Sequence, residues 1–138
     1  MLMDLSVVRD FLKTLEPKFS AYFVGKLDAK KDNSLGIYNL KRSGGPQIAL
    51  GGLGATKTLN KKISLLIHGT KNNAETEKLA IALYESLLKT NVDVIGAYDV
   101  CMIGLLCDGP INVGNDDNGV CEYVIEFEIY YQYQKKED

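Results

Sequence analysis

Residues 121–134 read CEYVIEFEIYYQYQ, and apolar and polar residues alternate along almost the whole of this stretch. The alternation predicts a β-strand with one face in the core and one acidic, polar face. The core set is Cys121, Tyr123, Ile125, Phe127, Ile129, Tyr131 and Tyr133, and the opposite set is Glu122, Val124, Glu126, Glu128, Tyr130, Gln132 and Gln134. At ~3.3 Å per residue the strand spans roughly 40 Å, about twice the usual length. We therefore expect it to extend beyond its own domain and to pair or pack elsewhere.

The remaining segments predict further strands and two helices. Strand patterns occupy residues 19–27, 35–41, 47–50, 61–69 and 92–106, the last as one long strand or two short ones. Helical spacing occupies residues 4–15 and 72–90, with Asp4 and Asn72 as N-caps, and loops are expected at 30–34, 42–46 and 108–119. Because helices and strands do not alternate regularly, we predict an α+β fold: a mainly antiparallel sheet with two helices packed on one face and a long C-terminal strand. The length predicts one domain over residues 1–138.

Composition and charge exclude several classes of function. The net charge is −2, so the chain offers no global basic surface for nucleic acid. No apolar run approaches the ~20 residues of a membrane span, and the start MLMDLSVVRDFLK differs from a secretory signal. Cys101, Cys107 and Cys121 form no CxxC pair, which indicates free thiols in a reducing compartment and, with a single histidine, predicts no metal site.

A second stretch, GGLGATKT at residues 51–58, is similar at first sight to a phosphate-binding loop. The pattern G-x-x-x-x-G-K-[ST], started at Gly51, requires glycine where this chain has Thr56. The following LNKKISLLIH has strand periodicity, so no helix N-terminus is available to hold an anion. We predict a flexible loop over residues 49–60 between two strands. Its candidate docking residues are Gly51, Gly52, Gly54, Lys57, Lys61 and Lys62.

We predict no catalytic residues, no cofactor and no metal ligands. His68 has no nucleophile motif near it, so we expect a structural role at the end of a strand. Glu122, Glu126 and Glu128 occupy alternate positions of one strand face, which indicates a solvated or subunit-facing surface rather than an acid–base pair; with Tyr130 they are the candidate subunit-facing residues. The segment Asp116-Asp117-Asn118 lacks the spacing of a calcium loop, and Asn118-Gly119 is typical of a hairpin turn.

The element order, the stretch ISLLIHGTKNNAETEKLAIALYESLL at residues 63–88 and the ending DNGVCEYVIEFEIYYQ at residues 117–132 resemble the minor capsid or tail terminator proteins of long-tailed bacteriophages. The resemblance covers most of the chain, and no catalytic motif defines the family. It implies a structural virion protein without enzymatic activity. Such a protein assembles as a hexameric ring on the tail tube, stops tube growth and joins the tube to the head connector.

The resemblance also implies partners and a location. The partners are further copies of the chain, the tail tube protein and the head–tail connector protein, with no membrane. DNA passes through the ring without sequence-specific binding, which a neutral or acidic lumen favours. The protein is expected in the tail or neck of the virion after assembly in the host cytoplasm. The isolated chain can be a monomer, because rings of this sort can form only on their template.

Two alternatives stay open. One is a head-completion or stopper protein, which also needs ring formation and mobile loops. The other is a cytoplasmic α+β domain in which loop 49–60 binds an anion through Lys57, Lys61 and Lys62.

Overall fold

The computed structural model of the protein describes residues 2–41 and 58–132, which contain two helices and seven strands. In chain order these are α1 (Leu5–Leu12), β1 (Ala21–Val24), β2 (Ser34–Asn39), β3 (Thr58–His68), α2 (Asn73–Lys89), β4 (Val94–Ile95), β5 (Tyr98–Leu105), β6 (Ile111–Asn115) and β7 (Cys121–Gln132). The strand order in the sheet is β1-β2-β3-β7-β5-β4, with β6 also paired to β7. Only the β1–β2 pair among the described strands is parallel. The predicted α+β class is confirmed.

The long strand β7 is paired inside its own sheet over the whole of its described length. On one edge β3 pairs with it continuously, from Thr58 opposite Gln132 to His68 opposite Glu122. On the other edge β5 pairs with its C-terminal part and β6 with its N-terminal part. The prediction that this strand extends beyond its own domain is therefore wrong for the described residues. The 11-residue β3 is long enough to pair with β7 from Glu122 to Gln132.

The core face of β7 carries the predicted residues from Cys121 to Tyr131, whereas the predicted strand residues Tyr133 and Gln134 lie outside the described part of the chain. Burial alternates strictly along the strand, and the six core positions from Cys121 to Tyr131 are at most 4% exposed. Ile63, Leu65 and Ile67 of β3 lie directly opposite core residues of β7 and are themselves fully buried. Apolar side chains thus meet across the strand pair on one face, which fixes the register.

Both helices cover this apolar face. They bury side chains in the same core cluster as the sheet, namely Val8, Phe11, Leu12, Ala80, Leu83 and Leu87. The side chain of Asp4 accepts a hydrogen bond from the backbone N–H of Val7 at 3.0 Å, and that of Asn72 accepts one from Glu75 at 3.2 Å. Each bond satisfies an N–H that the first turn of a helix leaves unpaired. Both predicted N-caps and the placement of the helices on one face are confirmed.

Two segments lie between α2 and β7. Residues 92–106 form two strands, which confirms the second of the two predicted alternatives, and Gly96 turns the chain between them with a φ of 59°, a conformation that favours glycine. The predicted loop at 108–119 contains β6, so that part of the prediction is wrong. The alternation of Ile111, Asn112 and Val113 is the sequence signal of this short strand.

Candidate assembly surface

Most of the glycine-rich stretch lies outside the described residues. Gly51, Gly52, Gly54 and Lys57 belong to that part, as does the predicted strand at 47–50. The described chain resumes at Thr58, which already pairs with β7. Residues 58–60, together with Lys61 and Lys62, are therefore strand residues, and the predicted C-terminal limit of the loop is wrong.

Lys61 and Lys62 point to opposite sides of the sheet, because successive side chains alternate along a strand. Lys61 lies on the core side, where its Nζ donates a hydrogen bond to Asn39 Oδ1 at 2.7 Å. Burial lowers the pKa of Lys61, and the nearby charge of Asp4 opposes that effect. Lys62 is exposed on the other side, in register with Glu128. The two ammonium groups do not converge, so the alternative of an anion site shared by these lysines loses its geometric basis.

Neither of the two helices in the described part of the chain covers the side of β3 and β7 that carries Lys62 and Glu128, and we call this side the outer face. Its six positions on β7 are half-buried rather than fully solvated. Glu128 accepts a hydrogen bond from Asn60 Nδ2 at 2.9 Å across the two strands. The hydrogen bond between Tyr130 and Glu128, more than burial or the carboxylate charge, raises the pKa of Tyr130. The candidate residues Glu128 and Tyr130 therefore form a connected polar group on this face.

Glu122, one of the four candidate subunit-facing residues, is joined to a fully buried side chain. Its Oε2 lies 2.8 Å from Nδ1 of His68, the residue opposite it in β3. Nε2 of His68 lies 3.0 Å from the carbonyl oxygen of Ala29 and 3.9 Å from Oδ2 of Asp116. The loop between β1 and β2 and the turn before β7 thus meet at this end of the outer face. Glu122 therefore contacts His68 of its own chain.

The surroundings of His68 give it a structural role. Both ring nitrogens are within hydrogen-bond distance of oxygen atoms, one from a carboxylate and one from a backbone carbonyl. Within residues 2–41 and 58–132, neither nitrogen is paired with a serine or cysteine, which nucleophilic catalysis would require. The prediction of a structural histidine agrees with this geometry.

The turn before β7 is the predicted hairpin turn. The side chain of Asp116 accepts hydrogen bonds from the backbone N–H groups of Asn118 and Val120, both at 2.9 Å, and Gly119 has a φ of 83°. These bonds use the carboxylate to close the turn. Within residues 2–41 and 58–132, no group of three or more His, Cys, Asp or Glu side chains is arranged to hold a metal ion.

β6 is the most exposed strand of the described chain, and all five of its residues are exposed. Its apolar side chains include Ile111, which is 42% exposed, and Val113, which is 51% exposed. β7 is its only strand partner among the described residues, so its second edge presents backbone groups that no described strand pairs. Because the sequence predicts a loop over residues 108–119, it does not predict this edge.

Comparison with known protein families identifies the family to which this chain is related. The model of the family described as bacteriophage tail terminator protein matches residues 3–133. The chain belongs to this tail terminator family. The resemblance predicted from the sequence is confirmed. No match was found among curated proteins.

Membership of the tail terminator family assigns the protein to the structural components of the phage tail and places it in the virion. In the described part of this tail terminator, α1 has 8 residues and α2 has 17, and neither meets the length and apolarity that a membrane crossing demands.

Proposed function

We propose that the protein forms a ring, hexameric in its working state, that caps the tail tube, ends tube growth and joins the tube to the head connector. The observation that carries this proposal is the match to the tail terminator family over residues 3–133. The ring forms on the tube as its template, and the isolated chain is a monomer. Assembly takes place in the host cytoplasm, and the chain acts without catalysis.

The outer face supports this proposal physically. A joint protein needs surfaces that keep their shape when free and lose water when docked. Glu126 and Glu128 with Tyr130 present half-buried polar groups on a rigid strand, and we propose that they contact a neighbouring component of the virion. The docking residues of the glycine-rich stretch, Gly51, Gly52, Gly54 and Lys57, are proposed to contact the tube. Lys62, on the outer face, belongs to the same contact region.

DNA passes through the proposed ring without sequence-specific binding. A lumen rich in lysine and arginine would hold the phosphates, whereas a neutral or acidic one lets the duplex move. The net charge of −2 agrees with the second type.

Electron microscopy of purified tail tubes tests the proposal. Tubes incubated with the protein should carry a ring at one end and stop growing when free tube protein is added. Tubes without the protein, kept under the same conditions, are the control. Tubes that keep growing with the protein present would contradict the proposal. Binding to the connector without binding to the tube would instead support the stopper alternative.

A further inference from the structure

Charge is distributed unevenly along the chain. Residues 91–132 contain no lysine or arginine and eight acidic residues: Asp93, Asp99, Asp108, Asp116, Asp117, Glu122, Glu126 and Glu128. Residues 2–41 have an excess of basic residues, with seven against five acidic ones; the basic ones are Arg9, Lys13, Lys18, Lys26, Lys30, Lys31 and Lys41. The net charge of −2 conceals this separation.

The strand order places the two regions at opposite ends of the sheet. β1 and β2, from the basic region, stand at one end, and β5, β4 and β6, from the acidic region, stand beyond β7 at the other. The charge of the molecule therefore changes sign across the sheet, from the basic end at β1 to the acidic end beyond β7. Exposed charges at different ends of the sheet contribute little to the stability of a single chain, because salt screens charges that lie more than about 10 Å apart.

Each end also has a short strand with one unpaired edge among the described residues. β1 pairs only with β2, and exposed Lys18 and Lys26 flank it in the sequence. β6 pairs only with β7, and exposed Asp108 and Asp117 flank it. The two strands are of similar length, with four and five residues, so the flanking charges are spaced comparably.

We propose that the β1 edge of one subunit docks against the β6 edge of the next copy of the chain, head to tail. The proposal rests on the ring function proposed above and names its subunit interface. Contact between two different surfaces of one chain is heterologous, and such contacts close into a ring when the rotation permits. Pairing between edge strands satisfies backbone groups, and the opposite flanking charges set the orientation.

These observations favour a second copy of the chain as the partner that docks on each edge. The chain itself carries both complementary surfaces. Ile111 and Val113 are exposed apolar residues on the β6 edge, and Val24, 37% exposed, is an apolar residue on the β1 edge that can pack against them. Lys18 and Lys26, which flank β1, also explain why the free subunit stays apart from its copies. Charged flanks protect an open strand edge until a template brings the edges together.

Charge reversal and its rescue test the interface on purified tail tubes. Lys18→Glu with Lys26→Glu, and separately Asp108→Lys with Asp117→Lys, should each lower the fraction of capped tubes about tenfold or more, because like charges then face each other. The chain carrying all four changes restores opposite charges and should recover capping. Lys71→Glu with Lys78→Glu, at exposed positions just before and within α2, is the matched control and should cap normally. Circular dichroism and thermal melting confirm that each variant is folded.

The outcomes separate this inference from the proposed function. Wild-type protein that fails to cap tubes overturns the ring function and the interface with it. Wild-type protein that caps, with reversals that have no effect, overturns only the interface. Loss of capping in both reversals without rescue in the fourfold variant also overturns the interface, because it indicates that the charges face the tube.

Cross-linking gives a readout that a change in tube affinity cannot produce. In a background with Cys101→Ser and Cys107→Ser, in which the remaining Cys121 is buried, Val24→Cys and Val113→Cys in one chain should give a ladder up to the ring size when a short bis-maleimide is added on tubes. A mixture of the two variants that each carry one introduced cysteine should stop at dimers, and the background alone should remain monomeric. A dimer formed by Val113→Cys alone would indicate a two-fold contact and would overturn the head-to-tail arrangement.

Discussion

The two faces of β7 come from the same 12 residues and are stabilised in opposite ways. The core face is apolar, almost fully buried and covered by both helices. The outer face is polar and half-buried, and hydrogen bonds join its glutamates to Asn60, His68 and Tyr130. Burial of apolar area is large and non-directional, whereas each hydrogen bond adds little net stability but fixes geometry. The core face therefore dominates stability, and changes on the outer face can affect contacts while the fold persists.

The largest expected difference between the faces is at two adjacent residues. Ile125→Asp places a charge at a fully buried position and should lower the free energy of unfolding by about 4 kcal/mol or more, enough to unfold a marginal domain. Glu126→Ala, one residue away on the outer face, should cost less than about 1 kcal/mol. Urea denaturation monitored by circular dichroism measures both.

The same pair of variants also separates folding from assembly. Glu126→Ala should melt close to the wild type and cap fewer tubes, because its side chain lies on the proposed contact face. Equal losses of stability in both variants would show that the two faces are not distinct in the way the structure indicates.

The core face shows how much of the fold the sequence predicts. A period of two in residues 121–132 determines which side chains are buried, because a strand has only two faces and one must exclude water. The N-caps at Asp4 and Asn72 follow from local chemistry in the same way. The pairing of β7 along both edges could not be predicted, since strand partners are set by contacts between distant segments. For the same reason the sequence alone predicts, wrongly, that a strand of this length extends beyond the domain.

The second-largest effect is expected where the outer face is most buried. His68→Ala removes the partner of Glu122, whose side chain is 19% exposed, and opens a cavity beneath the β1–β2 loop. The loss should be about 3 kcal/mol, because breaking a buried polar pair leaves one member without its partner. Lys62→Ala, on the same face of the same strand but exposed, is the control and should change stability by less than about 0.5 kcal/mol.

His68 also marks what the sequence could not reveal about the candidate surface. Its position at a strand end predicts a structural role, but Ala29 and Asp116 reach it from segments far away in the chain. The alternation predicts that Glu122 lies on the polar face, and only the register of β3 shows that His68 stands opposite it. The edge of β6 was missed because five residues between turn-forming segments carry a weak strand signal.

A smaller effect on the free energy of unfolding is expected from the hydrogen bond between Asn60 and Glu128 on the outer face. Asn60→Ala and Glu128→Ala each remove one partner of the 2.9 Å hydrogen bond and should each cost about 1 kcal/mol or less, since the pair is partly open to solvent. A double-mutant cycle by urea denaturation should give a coupling free energy of about 0.5–1 kcal/mol. Strict additivity of the two changes would show that the bond does not contribute in solution.

The smallest expected effect concerns the pKa values of two tyrosines, which are raised by different causes. Tyr98 belongs to the core cluster, lies edge-to-face on Tyr131 at 5.3 Å between ring centroids, and donates a hydrogen bond to the carbonyl oxygen of Leu2. Burial, more than the charges nearby, raises the pKa of Tyr98 above its ordinary value of 10.0. On the outer face, the pKa of Tyr130 is raised chiefly by its hydrogen bond with Glu128. Glu128→Gln should therefore lower the pKa of Tyr130 and leave that of Tyr98 unchanged in an absorbance titration of tyrosinate.

The dependence of stability on alkaline pH follows from the direction in which folding shifts the pKa of Tyr98. The folded chain holds the Tyr98 proton more tightly than the unfolded chain, so this contribution is complete below pH 10.0 and is lost as the pH rises through the folded pKa. Tyr98→Phe keeps the ring but cannot ionise, so its free energy of unfolding should start lower at neutral pH and fall less steeply above pH 10.0 than that of the wild type. Urea denaturation at a series of alkaline pH values measures this slope. An unchanged slope in Tyr98→Phe, or a Glu128→Gln variant that shifts Tyr98 as much as Tyr130, would contradict the assignment of these tyrosines to separate faces.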